Sequence, residues 1–266
     1  MEPIVEPGPD DPICVSMRRG ATQLIWFNNP RHRNALSLAM RELAIPEMIR
    51  AMDDPTVRCV VVAGAGGCFS AGGDIRGMAG TTVGQGRQRL RNVHRLVRAM
   101  TDGPKPVIAA VEGWAVGAGL SIAVACDIVV AASDARFSMP FGKIGLMPDL
   151  GVLHTLPARI GIGRTRWLAL TGRAVDAETA AAWGIADELV ARGQAVAHAL
   201  ALAEEIAAGA PIATAVTKQA LSRGLLPLDD VLATEVDAQS MLFGTRDFAE
   251  GTAAFLEKRT PTFTGE

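Results

Sequence analysis

Residues 107–121 read VIAAVEGWAVGAGLS, a short apolar run that leads directly into a glycine-rich turn. The first part, Val107 to Val111, is continuously apolar, which is typical of a strand buried on both faces of a sheet. The same unit occurs earlier, where the apolar strand Val57 to Ala63 leads into another glycine-rich loop. A helical pattern from Arg87 to Thr101 separates the two units, and this alternation predicts an α/β fold.

The flanking segments extend the pattern. Ile13 to Met17 and Gln23 to Phe27 suit the two strands of a hairpin, and Ser37 is the predicted N-cap of a helix that runs to about Met52. A helix at Ala118–Ala125 and a strand at Ile128–Ala132 follow the second glycine turn. The later part is mostly helical, with predicted helices at Val175–Trp183, Gln194–Ala208, Pro211–Ser222, Leu228–Met241 and Thr245–Leu256.

We therefore predict three parts: a loose N-terminal arm at residues 1–12, a sheet-bearing core at 13–190 and a helical region at 191–266. Two of the C-terminal helices, Gln194–Ala208 and Leu228–Met241, carry more apolar residues than a small appendage could bury. Their sequence predicts an oligomer.

The composition narrows the range of functions. The 266 residues include 26 Lys and Arg against 28 Asp and Glu, so no basic field is present to attract nucleic acid or an anionic membrane. The longest apolar stretch, Val107 to Ala132, is interrupted by Glu112 and Asp127 and does not suit a membrane span. The four histidines lack metal-ligand spacing, and the four separated cysteines suit buried reduced thiols, so we expect no metal and a cytoplasmic location.

The two glycine-rich loops, Cys68 to Ile75 and Gly113 to Ser121, form the candidate site. Backbone amides projecting from such loops, one of them at a helix start, can hold a developing oxyanion without any side chain. Spacing alone leaves open that glycine and alanine merely allow tight turns there. A dinucleotide-binding loop is excluded because Phe69 replaces the third glycine of its fingerprint, and no phosphate loop of nucleoside triphosphatases occurs.

Three motifs, FSAGGDIRGM from Phe69, GWAVGAGLSIAVACDI from Gly113 and FSMPFGKIGLMPDLG from Phe137, resemble in order and spacing the signatures of the crotonase (enoyl-CoA hydratase/isomerase) superfamily. NNPRHRNAL from Asn28 resembles its CoA-binding loop, and the resemblance continues to FLEKR at 255–259. It implies a spiral of strand–strand–helix turns, with a C-terminal helical region that packs trimers or hexamers.

The resemblance also implies the substrate, an acyl-CoA thioester, with CoA present only as part of that substrate and no other cofactor. The amides of Gly73 and Ala118 would hold the thioester oxygen. The positions implied in substrate binding are Arg33, Ala35, Ala71, Asp74, Ile75, Gly117, Ser121 and Phe141.

The sequence departs from the hydratase pattern at two positions. Hydratases of this superfamily use two glutamates, and Ser121 and Phe141 stand in their places. Serine without a partner is a poor general base and phenylalanine can only fill space. Asp149 is a carboxylate at a position where isomerase and dehalogenase branches carry a functional aspartate.

We predict from this an isomerase that converts a 3-enoyl-CoA into a 2-enoyl-CoA, with Asp149 as the proton shuttle. A simpler interpretation makes Asp149 the cap of a helix at Leu150–Ile160. A hydratase or another crotonase reaction, and a non-catalytic acyl-CoA binder, remain alternatives. A dehalogenase is weaker, because no aromatic pocket or halide site is recognisable.

Overall fold

Two β-sheets of unequal size organise the chain, which a computed structural model describes over residues 4–224 and 226–266. The strands are β1 (Cys14–Arg19), β2 (Thr22–Phe27), β3 (Cys59–Gly64), β4 (Val107–Val111), β5 (Trp114–Val116), β6 (Ile128–Ala132), β7 (Arg136–Ser138), β8 (Ala174–Asp176) and β9 (Glu188–Val190). The helices are α1 (Leu38–Asp53), α2 (Val83–Thr101), α3 (Ala118–Ala125), α4 (Val152–Thr171), α5 (Ala177–Trp183), α6 (Ala195–Ala207), α7 (Pro211–Ser222), α8 (Leu228–Leu242) and α9 (Arg246–Glu257).

The larger sheet has the order β1-β2-β3-β4-β6-β9 and contains the strands that the apolar runs predict. β1 and β2 form the predicted antiparallel hairpin, and the remaining neighbours pair in parallel. All six residues of β3 and all five of β4 are buried, as expected for parallel strands covered on both faces. The predicted α/β class is confirmed.

A smaller sheet, β5-β7-β8, gives the chain its spiral course. β4 is followed by β5 and then by α3, after which β6 returns beside β4 and β7 returns beside β5, both in parallel. The predicted spiral of strand–strand–helix turns is therefore confirmed. Only Glu112 and Gly113 separate β4 from β5, so this two-residue turn connects the larger sheet to the smaller one.

Helices cover the two faces of the larger sheet. A large apolar cluster packs α1, α2, α3 and α4 on one face, with Leu36, Phe69 and Phe137 fully buried within it. A separate cluster on the other face joins Leu24, Val61, Ile108 and Val130 to an alanine-rich side of α6. Of the apolar residues of α6, four are buried against the sheet, Ala195, Ala199, Leu200 and Ala203, whereas Val196, Leu202 and Ile206 are only partly buried. The oligomer expected from this helix stays a prediction.

Several element boundaries differ from the sequence-based expectation. α2 begins at Val83 instead of Arg87, because Thr82 and Gln85 form a reciprocal capping box. The stability that this box adds outweighs the low helix propensity of the two glycines in the first turn. The helix predicted from Val175 begins at Ala177 with Asp176 as N-cap, and the residues before it form β8. The predicted helix at Leu150–Ile160 begins at Val152 and continues beyond a break at Gly161 to Thr171.

The two ends of the chain differ in how they are held. Residues 4–12 contain no helix or strand, but the side-chain amide of Asn28 donates to the carbonyls of Gly8 and Pro12, at 2.9 and 3.2 Å. Residues 1–3 of the predicted arm lie outside the described residues. At the other end, α8 has no buried residue, in contrast with α6. The division at residues 12 and 190 stays a prediction.

Two further expectations concern thiols and membranes. The four cysteines are buried free thiols, as predicted. In the described ranges no single helix has the length and apolarity needed to cross a membrane. The helices α6 and α7 meet that criterion only when taken together, and they bend by 111° at the break between them.

Candidate active site

The two glycine-rich loops lie directly against each other. The Ser70 amide donates to the Trp114 carbonyl, and the Val116 amide donates to the Ser70 carbonyl, both at 2.9 Å. A Cβ on Gly119 would lie 2.5 Å from the Ser70 carbonyl oxygen. Only glycine therefore allows the first turn of α3 to approach this loop so closely.

Gly73 and Ala118 line one cavity, as the predicted oxyanion site requires. Ala118 is the first residue of α3, so its amide has no partner within the helix. Within residues 4–224 and 226–266, neither amide donates a hydrogen bond to another protein group. Gly72, at φ +93°, holds the loops together, since a Cβ there would lie 2.4 Å from the Val116 carbonyl oxygen and 3.2 Å from the Ala118 nitrogen.

The cavity that these residues border has a volume of about 180 Å³. An apolar cavity of roughly 150 Å³ accepts a benzene ring, so a short acyl chain or a phenyl-sized group fits here. Phe141, which is buried, forms part of the wall and lies close to Gly117. The lining side chains are mostly apolar and include Leu36, Met78, Leu90, Val93, Val116 and Leu146.

Asp149 is the carboxylate of this cavity. Its Oδ1 atom is buried and has no hydrogen-bond partner among the described residues. The simpler interpretation, in which Asp149 caps the following helix, is wrong: α4 begins at Val152, its N-cap is Gly151, and no side chain caps it. Leu150, between them, has φ +56°, a conformation that costs energy for a bulky residue and that turns the chain between Asp149 and the helix.

The charge of Asp149 is controlled by opposing effects. Burial is the largest of these effects and raises the pKa of the carboxyl above its ordinary value. Electrostatic interactions with Arg89, His94 and Arg41 act in the opposite direction but do not cancel the effect of burial. An aspartate with a raised pKa is a stronger base, which suits it to remove a proton from carbon.

An open groove adjoins the cavity. Of the positions predicted to bind substrate, Arg33, Ala35, Ala71, Asp74 and Ile75 line this groove, and Ala71 and Ile75 also line the cavity. The groove and the cavity meet at Gly73. The predicted CoA loop and the predicted oxyanion loop are thus neighbours in the structure.

Asn34 fixes this arrangement, a role that none of the sequence motifs indicated. Its side-chain amide donates to the carbonyls of Ala65 and Cys68, at 2.8 and 2.6 Å. Its Oδ1 accepts the amide of Asn29 at 2.7 Å, and its own carbonyl accepts the Ser70 hydroxyl at 2.8 Å. Asn34 has φ +54°, which asparagine tolerates better than most residues, so the type of residue was itself a signal.

The chain matches the family model described as enoyl-CoA hydratase/isomerase over residues 18–266. It belongs to the enoyl-CoA hydratase/isomerase family. Like its relatives in this family, the protein is an enzyme that acts on acyl-CoA thioesters.

Individual relatives in this family carry different activities in their names. The protein is 38% identical to a probable enoyl-CoA hydratase of Rhodobacter capsulatus, over 91% of this chain and 94% of the relative. It is 36% identical to the 1,2-epoxyphenylacetyl-CoA isomerase of Escherichia coli, over 96% of this chain and 98% of the relative. Its fold matches the crystal structure of an enoyl-CoA hydratase from Bacillus anthracis with a TM-score of 0.91 and 32% identity, covering 95% of this chain and 99% of that one.

Within this family member, Ser121 is the one predicted site residue that borders neither the cavity nor the groove. It is fully buried in α3, and its hydroxyl donates to the Gly117 carbonyl at 3.2 Å. The hydroxyl is thus turned to its own helix, and the contact of Ser121 with substrate stays a prediction. The other predicted residues come together around Gly73.

The cavity also contains cations that no sequence motif indicated. Arg41 of α1 and Arg89 of α2 line it together with Lys143. Both arginines lie in helical patterns, where arginine is ordinarily a solvent-facing residue, so no local signal distinguished them. Among the described residues, no cluster of His, Cys, Asp and Glu side chains is placed to hold a metal ion.

Proposed function

We propose that this enzyme converts a 3-enoyl-CoA into the conjugated 2-enoyl-CoA, with Asp149 as the base and then the acid. The observation that supports this proposal is the unpartnered, buried Oδ1 of Asp149 in the same cavity as the free amides of Gly73 and Ala118. A carboxylate without a protein partner is available to a substrate proton. Two free amides are available to the oxygen on which charge develops.

The reaction follows from these groups. Asp149 takes a proton from C2 of the 3-enoyl chain, and the electron pair moves onto the thioester oxygen to form a dienolate. The amides of Gly73 and Ala118 stabilise this oxyanion, and one such donor contributes on the order of 10²–10³ in rate. Protonated Asp149 then returns the proton to C4, which leaves the double bond between C2 and C3. One carboxylate on one face of the chain is sufficient for both transfers.

The CoA portion of the substrate is assigned to the open groove beside Gly73. Arg31, Arg33 and Arg76 border this groove, together with His32. Guanidinium groups bind phosphate oxygens in a bidentate manner, so this cluster suits the phosphates of CoA. We therefore expect CoA thioesters to bind and the corresponding free acids not to bind.

Hydration of a 2-enoyl-CoA is the second candidate, because the names of several relatives and of similar solved structures refer to hydratases. Hydration needs a group that activates water in addition to the group that protonates carbon. Phe141, in the cavity wall, cannot activate water, and Ser121 lies outside the cavity lining with its hydroxyl bonded within α3. A single carboxylate could also serve the rearrangement of a ring epoxide, the reaction for which the Escherichia coli relative is named.

The deciding experiment compares two reactions of the wild-type enzyme. We expect 3-hexenoyl-CoA to be isomerised with a kcat/KM at least tenfold above that for hydration of crotonyl-CoA, both followed by the absorbance of the conjugated thioester. Efficient hydration of crotonyl-CoA without isomerisation would transfer the assignment to the hydratase. Binding of both thioesters without turnover would instead favour the non-catalytic acyl-CoA binder.

The proposed enzyme is a homotrimer or a hexamer. Exposed apolar side chains on the last two helices support this assembly; they include Leu228, Val236, Phe255 and Leu256, each at least 67% exposed. Such a surface is costly for a monomer and is covered when copies associate. Sedimentation at micromolar concentration tests this, and a single monomer peak would contradict it.

A further inference from the structure

The substrate cavity contains a pair of arginines that the proposed reaction does not use. Arg41 is 5% exposed, and Arg89 is partly buried beside it. Both line the cavity, and both also line a shallow groove on its outer side. The two arginines therefore border the cavity and that groove at the same time.

These two cations lack the partners that buried cations ordinarily have. The Nε atom of Arg41 donates to the Ser37 carbonyl at 3.2 Å, and its two terminal nitrogens have no hydrogen-bond partner in the described residues. Arg89 makes no hydrogen bond or ion pair within those same residues. Glu42, Asp149 and Asp74 act on Arg41 only through space.

Two neighbouring positive charges repel each other, and the carboxylates near Arg41 act on it only through space, without a hydrogen bond. The pKa of Arg41 is lowered by burial and, next, by the charge of Arg89. A purely apolar acyl chain that filled the cavity would displace water from these guanidinium groups and offer nothing in return. A carboxylate would restore the lost hydrogen bonds, and guanidinium forks suit it by geometry.

The position of Arg89 limits where that carboxylate lies. Its Nη2 atom is 4.0 Å from the place that a Cβ on Gly73 would occupy, so the cation lies beside the proposed thioester site. The cavity itself accommodates only a short chain, at about 180 Å³. A second carboxylate on a chain of four to six carbons, bound at Gly73 through its thioester, stays within this space.

We propose that Arg41 and Arg89 form a carboxylate site in the acyl cavity, so that the preferred substrates are CoA thioesters of short dicarboxylic acids. This inference rests on the proposed acyl-CoA site but not on isomerisation. It makes the arginines determinants of substrate choice and leaves the proton transfer to Asp149.

Binding of unreactive, saturated thioesters tests the proposal independently of catalysis. Calorimetry would compare butanedioyl-CoA with butanoyl-CoA and hexanedioyl-CoA with hexanoyl-CoA on the wild-type protein. We expect the dicarboxylic thioester to bind at least tenfold more tightly at one or both lengths. Equal or weaker binding of both dicarboxylic thioesters would overturn the proposal, whatever the enzyme does with 3-enoyl-CoA.

Variants then locate the preference. Arg89→Met keeps the unbranched apolar stem of the side chain and removes the guanidinium group, so it should reduce the preference to less than threefold by weakening binding of the dicarboxylic thioester. Arg91→Met is the matched control, because Arg91 is an exposed arginine of the same helix that borders neither cavity nor groove. Loss of the preference in the control as well would show a general effect of net charge and overturn the assigned site.

A second variant covers the deeper arginine. Arg41→Met should also lower the preference, and circular dichroism would verify that this variant is folded. If it does not fold, Arg89→Met and the reversed charge in Arg89→Glu still decide the question. A preference that survives both Arg89 variants would overturn the proposal.

Discussion

Two buried cations of this protein, Lys218 and Arg41, are nearly equal in exposure, at 7% and 5%, but differ in their hydrogen-bond partners. The ammonium group of Lys218 donates to the carbonyls of Met100 and Lys105, at 2.6 and 2.8 Å, and to Asp127 at 2.6 Å. Arg41 has one carbonyl partner, and its terminal nitrogens are left for the cavity. The fold supplies hydrogen-bond partners for the charged group of Lys218 but not for the terminal nitrogens of Arg41.

This difference distinguishes a cation that is buried to stabilise the fold from one that is buried to bind a ligand. Burying a charge costs free energy unless the protein supplies partners, and at Lys218 it supplies three, which attach α7 to the sheet-bearing core. In the cavity, Arg41, Arg89 and the Oδ1 of Asp149 share the opposite property, since each lacks a bonded counter-charge in the described residues. An incomplete set of partners is what a ligand can complete.

The strongest test of this contrast is Asp149→Asn. The asparagine keeps the size of the side chain and removes the base, so isomerisation of 3-hexenoyl-CoA should fall by about 10²–10⁴-fold. Binding of saturated acyl-CoA should change little, and circular dichroism should show an unchanged fold. Near-native turnover in this variant would remove Asp149 from the mechanism.

Ala118→Pro tests the oxyanion site without changing a functional side chain. Proline is tolerated at the first residue of a helix, and there it deletes the backbone N–H. We expect kcat to fall by about 10²–10³-fold. Val83→Pro, at the first residue of α2 and exposed, is the control for the effect of proline at a helix start and should retain activity.

Lys218→Met tests the structural side of the contrast. It leaves two buried carbonyls and one carboxylate without their cation, and the free energy of unfolding should fall by about 3 kcal/mol. Activity per folded molecule at low temperature should be retained. Adding Asp127→Asn to this variant should recover part of the loss in a urea titration, and no recovery would show that the charge of Asp127 is not the cause.

The pH dependence of kcat/KM reports on the base directly. Burial raises the pKa of Asp149, and the base must be ionised to act. On acidification, activity should therefore decline at a pH above 3.8, the ordinary pKa of aspartate. Arg89→Met removes the largest opposing charge, so the decline should begin at a still higher pH. The same profile in Arg91→Met should match the wild type, and a downward shift in Arg89→Met would contradict the assignment.

The smallest expected effect is a gain in stability. A folded-state pKa above the unfolded value of 3.8 means that the native protein loses stability as the pH rises through the interval between the two pKa values. Above that interval, Asp149→Asn should therefore raise the free energy of unfolding by about 0.5–1 kcal/mol. Below pH 3.8 the gain should disappear, and a variant less stable than wild type at pH 7 would indicate a partner for Asp149.

Local sequence signals predicted the parts of the fold that depend on local patterns. β3 and β4 follow from continuous apolar runs, and α1 follows from its Ser37 cap, whose side chain accepts the Met40 amide. The strands β5, β7 and β8 were missed because three residues carry no periodicity and their pairing joins distant positions such as Trp114 and Arg136. Only the spiral course of the chain determines them.

The same distinction applies to the candidate site. The glycine loops and Asp149 were found from short motifs and their resemblance to a family. Arg41 and Arg89 were not found, because they belong to different helices and meet only where α1 packs against α2. The turned hydroxyl of Ser121 was equally invisible, since residue type does not reveal which way a side chain points inside a helix.

The position of α6 has a consequence for folding of the chain during its synthesis on the ribosome. The face of the larger sheet that α6 covers is built from β2, β3, β4 and β6, all of which precede residue 133. During vectorial synthesis, that apolar face has no covering helix until residues 195–207 have emerged. Nascent chains that stall before this point present an uncovered sheet to their surroundings, which makes them substrates for chaperones and sources of aggregates.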